Sequence, residues 1–444
     1  MPGILVIGAL VLAGCASAPS DKRPGPTEVR LPDTPVADAA RWVLEVVNAT
    51  EPVQEPAVIE QLSADMFDEL STADFIDVFE QLRANKPWVP TQYDAEGDQA
   101  VVRVHGAQGP AVEMTLALDA AGKINGLFFA PAPAERTPAA NWDELADAVK
   151  ALPARTSLSV TRVTDEAESL LAVDDEHVMP IGSIFKLYVL AAVAHAVDAG
   201  SLSWDSPLTL TDEVRSLPSG TLQDKPTGTV VTVQEAAELM ISISDNTATD
   251  LLMDAVGRDA VENAQTQLGH HDPAVNTPFL STREMFQLGW GEPADGRDRW
   301  MSASAEERRA ILAGLPTGVI TIDPASATEP VWQRGLDWFA NAADLRTAHL
   351  GLQKLALTES GKPIRDILAK NAGAGMSIGE EWTYVGFKGG SSAGELAGSW
   401  YVERADGERF TLSLQASSDD PNTLSDIRSY FGQIEDALAL LAAD

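Results

Sequence analysis

Met179-Pro-Ile-Gly-Ser-Ile-Phe-Lys-Leu-Tyr-Val-Leu190 is followed by an almost wholly apolar run to Val197. That composition reads as a buried helix with Ser183 at its start. Residues three apart share a helix face, so Lys186 sits on the side of Ser183. Burial among Ile, Leu and Val depresses a lysine's pKa, because the charged ammonium loses its water. A serine beside such an amine is the arrangement of an activated nucleophile. The pair recurs by chance in many chains, so its weight comes from what accompanies it.

Two further stretches accompany it in order. Ile241-Ser-Ile-Ser-Asp-Asn-Thr-Ala-Thr-Asp carries the triplet Ser244-Asp245-Asn246 and continues into a helix. Tyr384-Val-Gly-Phe-Lys-Gly-Gly-Ser reads as a strand that ends in Lys388 and glycines, which let a substrate backbone approach closely. Ser-x-x-Lys, Ser-Asp-Asn and Lys-x-Gly in this order resemble the three boxes of class A β-lactamases and penicillin-binding proteins, across about Trp142 to Asp444. The resemblance implies an α+β fold, with an antiparallel sheet flanked by helices and an all-α lobe. It implies Ser183 as acyl-accepting nucleophile, Lys186 as its base and Ser244 as proton relay. Asn246 would hold a substrate amide, Lys388 would supply positive potential, and the backbone N–H groups of Ser183 and Ser391 would form the oxyanion hole. Asp245 is expected to fix the turn.

Two departures from that pattern bear on chemistry. The third box reads Lys388-Gly389-Gly390, without the hydroxyl that binds a substrate carboxylate, although Ser391 or Ser392 stands close by. The segment from Asn246 to Thr277, where Asn276-Thr-Pro marks the expected close of the omega loop, is short and lacks Glu-x-x-Leu-Asn. A deacylating glutamate is therefore expected to be absent, with Asp272 the nearest carboxylate. Gly390-Ser-Ser-Ala-Gly394 matches Gly-x-Ser-x-Gly, but a nucleophile elbow needs a following helix, and Glu395 to Arg404 reads as a strand.

At the start of the chain, Ile4 to Gly14 is an apolar run too short to span a bilayer, ending at the single cysteine. Leu12-Ala13-Gly14-Cys15 resembles a lipobox. The expected organisation is a signal peptide over 1–14 and, over 15–36, a lipidated Cys15 with a disordered tether. Residues 37–135 then form a first domain and 136–444 the hydrolase domain, with an insertion over about 291–343. In the first domain, helical spacing from Asp38 and from about Ala57 to Ala84 precedes strands at Val101–Val104, Val112–Leu118 and Ile124–Phe129. This element order resembles the NTF2-like or ketosteroid-isomerase-like cone. Trp332, Trp338 and Phe339 are expected to anchor the insertion in the core.

Composition bounds the partners. With 66 Asp plus Glu against 31 Lys plus Arg, the net charge is −35, which repels nucleic acid and anionic headgroups. One cysteine and six scattered histidines give no metal motif, so neither metal nor cofactor is expected. The resulting expectation is an extracytoplasmic lipoprotein that touches the membrane through its anchor alone, without a protein partner. It would act on a small acyl substrate (ester, β-lactam or peptidoglycan-like). Such two-domain chains resemble the serine hydrolases of clavulanic-acid gene clusters and related actinobacterial lipoproteins, a resemblance that implies esterase-like more than lactamase-like chemistry. A D-alanyl-D-alanine carboxypeptidase, a true β-lactamase and an idle envelope binding protein are the alternatives.

Overall fold

Val36, Ala40, Val43 and Val47 recur at helical spacing and form the buried face of α1 (Pro35–Asn48), whose first turn is capped by the Thr34 hydroxyl. The computed structural model describes residues 28–444 except 69, 109–110, 133–135, 293, 324, 326, 372–375, 377 and 444. Cys15 and the expected signal peptide lie outside the described residues. The chain divides into two units between Glu135 and Arg136.

In the first unit the amphipathic stretch expected as one helix is two, α2 (Glu55–Gln61) and α3 (Thr72–Arg83). Ser71 and Asp74 restart the helix through a reciprocal capping box, each side chain satisfying the other's backbone N–H. Four strands follow as an antiparallel meander in the order β1 (Val89–Glu96), β2 (Gln99–His105), β3 (Val112–Leu118) and β4 (Ile124–Pro131). β1 escaped the sequence reading because it carries few apolar residues and its ladder is irregular between Pro90 and Gln92. Val102, Val104, Met114 and Leu116 face Val43, Val47 and Phe79 in one core.

The second unit opens with α4 (Trp142–Lys150), β5 (Arg155–Arg162), β6 (Glu168–Val173) and the short β7 (Met179–Pro180). α5 (Lys186–Asp198) is the buried helix read from its composition. It is followed by β8 (Pro207–Thr209), β9 (Val230–Thr232), α6 (Val233–Ser242), α7 (Asn246–Val256), α8 (Arg258–Gln267), α9 (Thr282–Trp290), α10 (Asp295–Trp300) and α11 (Ala305–Ala313). The chain then returns through β10 (Phe339–Ala340), α12 (Ala342–Leu355) and α13 (Ile364–Ala369) to β11 (Trp382–Ser392), β12 (Glu395–Arg404), β13 (Arg409–Ser417) and α14 (Ile427–Ala443). The main sheet is antiparallel in the order β11-β12-β13-β5-β6. Leu145, Val149, Leu158, Trp400, Leu412, Ile434 and Leu438 fill the layer between it and α4 and α14. A second core joins α5 to the helical lobe of α6, α7 and α8. This is the β-lactamase/transpeptidase-like α+β arrangement, and the nucleophile's turn lies where the helical lobe meets β11.

Two expectations about this unit change. The stretch 291–343 is not wholly an added insertion, because its end supplies β10, which pairs with β7 in the register Phe339↔Pro180. Trp338 is buried and stacks on Phe185 with ring centroids 3.6 Å apart. Trp332 is only half-buried and its indole N–H has no acceptor, so it is not a core anchor. The residues that pair with the short strand before Ser183 thus come from the segment just before α12. Sequence order could not reveal this, because three helices intervene between Thr277 and Phe339.

Candidate active site

Ser183 stands in a single 3-10 turn, Gly182–Phe185, that runs into α5. Gly182 has φ +44°, a left-handed conformation that costs glycine little. The backbone of β11 lies directly on this turn: a Cβ on Gly390 would fall 2.7 Å from the Ser183 nitrogen, and one on Gly182 would fall 2.9 Å from the Ser391 nitrogen. Gly182 and Gly390 are therefore a steric requirement for bringing the Ser183 and Ser391 amides together.

Lys186 is fully enclosed, with none of its surface exposed. Its Nζ donates to Ser244 O at 2.6 Å, Ser244 Oγ at 3.1 Å and Asn246 Oδ1 at 2.7 Å. These bonds go to the 244–246 turn, whereas i,i+3 spacing suggested Ser183 as the first partner. Lys388 reaches the same hydroxyl from β11, its Nζ donating to Ser244 Oγ at 3.0 Å and to Gly389 O at 2.7 Å. Burial, then the neighbouring Lys388 charge, hold the Lys186 amine well below the ordinary lysine range. Burial alone brings Lys388 down to about 7.

Ser244 adopts φ +56°, a conformation that non-glycine residues hold only when their surroundings impose it. Its carbonyl accepts from Lys186 Nζ and, at 2.7 Å, from Ser219 Oγ. Asp245 anchors the next position: Oδ2 accepts from the N–H groups of Thr221 and Leu222 at 2.7 and 2.8 Å, and Oδ1 caps α7 through Ala248 N at 2.8 Å. Asn246 is a strut, its Oδ1 held by Lys186 and its Nδ2 donating to Leu217 O at 3.2 Å. Before it could grip a substrate amide, Nδ2 would have to leave Leu217. Ser392 lies at the end of β11 and is followed by β12, so no helix stands behind it.

Asp272 is exposed and its Oδ1 caps its own turn at Ala274 N, 3.2 Å away. His270, His271 and Asp344 cluster closely enough to suggest a cation site. Hydrogen bonds tie these residues to one another and to the backbone. His270 Nε2 lies 2.9 Å from the Phe339 carbonyl and Nδ1 accepts from Asp272 N, while Asp344 accepts from the His271 amide, His271 Nδ1 and Asn341 N. The cluster fastens the loop after α8 to β10 and α12.

The geometry of a serine turn, two buried lysines and a shared hydroxyl frames the comparison with known proteins. Residues 141–322 match the beta-lactamase enzyme family. Residues 31–124 match a family described as the N-terminal part of the ORF 12 gene product. The β-lactamase VEB-1 of Pseudomonas aeruginosa is 27% identical over 116 residues, which cover 26% of this chain and 38% of that enzyme. The chain thus aligns with well under half the length of this relative. Among solved structures, PBP-A is 20% identical, with 69% of this chain and 99% of that one covered and a TM-score of 0.47. A β-lactamase from Sphaerobacter thermophilus is 21% identical over the same shares, with a TM-score of 0.48.

Three contributors to the site were not read from the sequence. Ser219 supports the Ser244 turn, and Asp337 and Glu395 lie behind Gly182, where Asp337 Oδ1 accepts from the Gly182 amide at 3.0 Å. An acid opening the largely apolar run Leu396 to Val402 was the available signal for Glu395.

Proposed function

We propose that this chain is an exported serine hydrolase that forms an acyl-enzyme on Ser183 and turns over small acyl esters, with weak or no turnover of β-lactams. The observation that carries this reading is the convergence of Lys186 and Lys388 on Ser244 Oγ, at 3.1 and 3.0 Å, one helical turn from Ser183. Burial holds the Lys186 amine well below its ordinary range, which favours the neutral form that has a lone pair to offer.

In the proposed cycle Ser183 Oγ attacks the ester carbonyl and gives up its proton to Lys186. Negative charge develops on the carbonyl oxygen between the N–H groups of Ser183 and Ser391. As the intermediate collapses, the carbon–oxygen bond to the alcohol breaks and the leaving alkoxide takes a proton from Ser244 Oγ, which Lys186 replenishes. Lys388 supplies positive potential to the same hydroxyl. Water then repeats the sequence on the acyl-enzyme, with Lys186 as base in the space the alcohol has left. Lipidation at Cys15 would place this chemistry outside the cytoplasm.

Intact mass after exposure to a fluorophosphonate and to a short-chain nitrophenyl ester tests the reading. One phosphonyl group on Ser183 and ester turnover, both abolished in Ser183→Ala, are expected. Modification of another serine, or turnover that survives Ser183→Ala, refutes it.

A further inference from the structure

Behind the nucleophile two acids meet. Asp337 precedes β10 and Glu395 opens β12, and they are only 4% and 2% exposed. Asp337 Oδ1 accepts from Gly182 N at 3.0 Å and from Trp338 N at 2.7 Å. Oδ2 of Asp337 and both carboxyl oxygens of Glu395 have no backbone or hydroxyl donor. Glu395 is flush against the nucleophile's turn, since a Cβ on Gly182 would collide with its Oε1.

Two neighbouring carboxyls cut off from water cannot both be ionised, so the pair retains a proton. Its place follows from the donors. Two amide N–H groups stabilise a charge on Asp337 and none stabilises one on Glu395, so Glu395 is the acid and its O–H is directed to Asp337 Oδ2. Burial, reinforced by the Asp337 charge, accordingly pushes Glu395 well above the usual carboxyl range.

We propose that Glu395 and Asp337 are a proton-sharing positioning pair that clamps the Gly182 peptide and so holds the Ser183 and Ser391 amides at the separation an oxyanion needs. The proposal rests on the serine-hydrolase reading above. Glycine is the residue least able to hold a backbone conformation by itself, and Gly182 precedes the nucleophile. Asp337 fixes its N–H, Glu395 walls its α-carbon, and the shared proton joins the two acids into one unit. An apolar pair of the same volume would cost less to bury, but it would offer the Gly182 amide no acceptor.

Glu395→Gln keeps the shape and a donor toward Asp337, whereas Glu395→Ala removes both. Fluorophosphonate labelling and ester kinetics should show Glu395→Ala losing about 10–100-fold in acylation rate with KM unchanged, and Glu395→Gln staying near the wild-type rate. Asp337→Asn, which keeps Oδ1 for the Gly182 amide, should also retain most of the rate. Two readouts do not depend on reactivity. The infrared carbonyl band of a carboxylic acid at neutral pH should vanish in Glu395→Gln. The amide NMR resonances of Gly182, Ser183 and Ser391 should move together in Glu395→Ala and stay in place in Glu395→Gln. Unmoved amides with unchanged labelling in Glu395→Ala overturn the clamp, and absence of the acid band overturns the shared proton. If wild-type Ser183 is not labelled at all, the hydrolase reading falls, while the infrared and amide data still decide on the pair.

Discussion

The side chains of Lys186 and Lys388 end on one oxygen atom, Ser244 Oγ, which lies 3.1 Å from the first amine and 3.0 Å from the second. Two buried ammonium groups sharing one hydroxyl repel each other, and both are lowered: Lys186 by burial and then by the Lys388 charge, Lys388 by burial to about 7. A hydroxyl between a neutral amine and a cation can pass a proton in one direction and take one back.

The first prediction concerns pH. Lys388 is protonated below about 7 and neutral above it, so the rate of Ser183 acylation should fall as pH rises through that value. Lys388→Arg keeps its charge at every accessible pH and should abolish the alkaline decline, whatever it does to the absolute rate. Labelling rates between pH 5 and 9 check this. A decline that persists unchanged in Lys388→Arg would assign it to another group.

Stability gives the second. The folded-state pKa of Lys388, about 7, lies below the unfolded value of about 10.4, so between them the unfolded chain binds more protons. Native stability contributed through this group therefore rises with pH across that window. Lys388→Met should melt higher than wild type at pH 7, by about 1–2 kcal/mol, while losing activity. The gap should narrow toward pH 10. Calorimetry at the two pH values reads both, and a Met variant less stable at pH 7 would contradict the burial penalty.

The third concerns Asp245, whose carboxylate accepts three backbone N–H groups from Thr221, Leu222 and Ala248. Asp245→Ala leaves two of these donors buried and α7 uncapped. A loss of about 3 kcal/mol or more is expected, with Asp245→Asn milder because it keeps one acceptor. Denaturant unfolding followed at the catalytic unit measures it. A near-neutral Ala variant would mean that water replaces the carboxylate.

The three boxes were legible because each is a local pattern: an apolar helix after Ser183, a capped turn at Asp245, a glycine-ended strand after Lys388. Their convergence is tertiary, so spacing alone suggested that Lys186 first meets Ser183, and only the fold shows its donors on Ser244 and Asn246. The acids behind Gly182 were hidden for a related reason. Asp337 and Glu395 are separated by β10, α12, α13 and β11, and nothing local marks either as a partner of residue 182. β10, only two residues long, has no periodicity to detect.

The last prediction concerns the second half-reaction. A penicillin that acylates Ser183 leaves an ester whose opened ring stays attached, so hydrolysis needs water activated beside it by a separate base. Four buried carboxyls of the catalytic unit are already committed. Asp245 holds three amides, Asp250 accepts from Thr282 N and Arg283 N at 2.8 Å each, and Asp337 and Glu395 face each other. None of the four is more than 5% exposed, so none meets bulk water. A simple ester makes a smaller demand, because its alcohol departs on acylation and Lys186 can serve the water that enters. Rapid multiple turnover is expected for a short-chain nitrophenyl ester, while a penicillin should fail to react or leave a long-lived adduct of its own mass on Ser183. Stopped-flow absorbance with intact-mass sampling distinguishes these cases. Fast penicillin turnover without a persistent adduct would mean that one of those four carboxyls opens to solvent in the acyl-enzyme, or that Lys186 reaches the water past the retained ring.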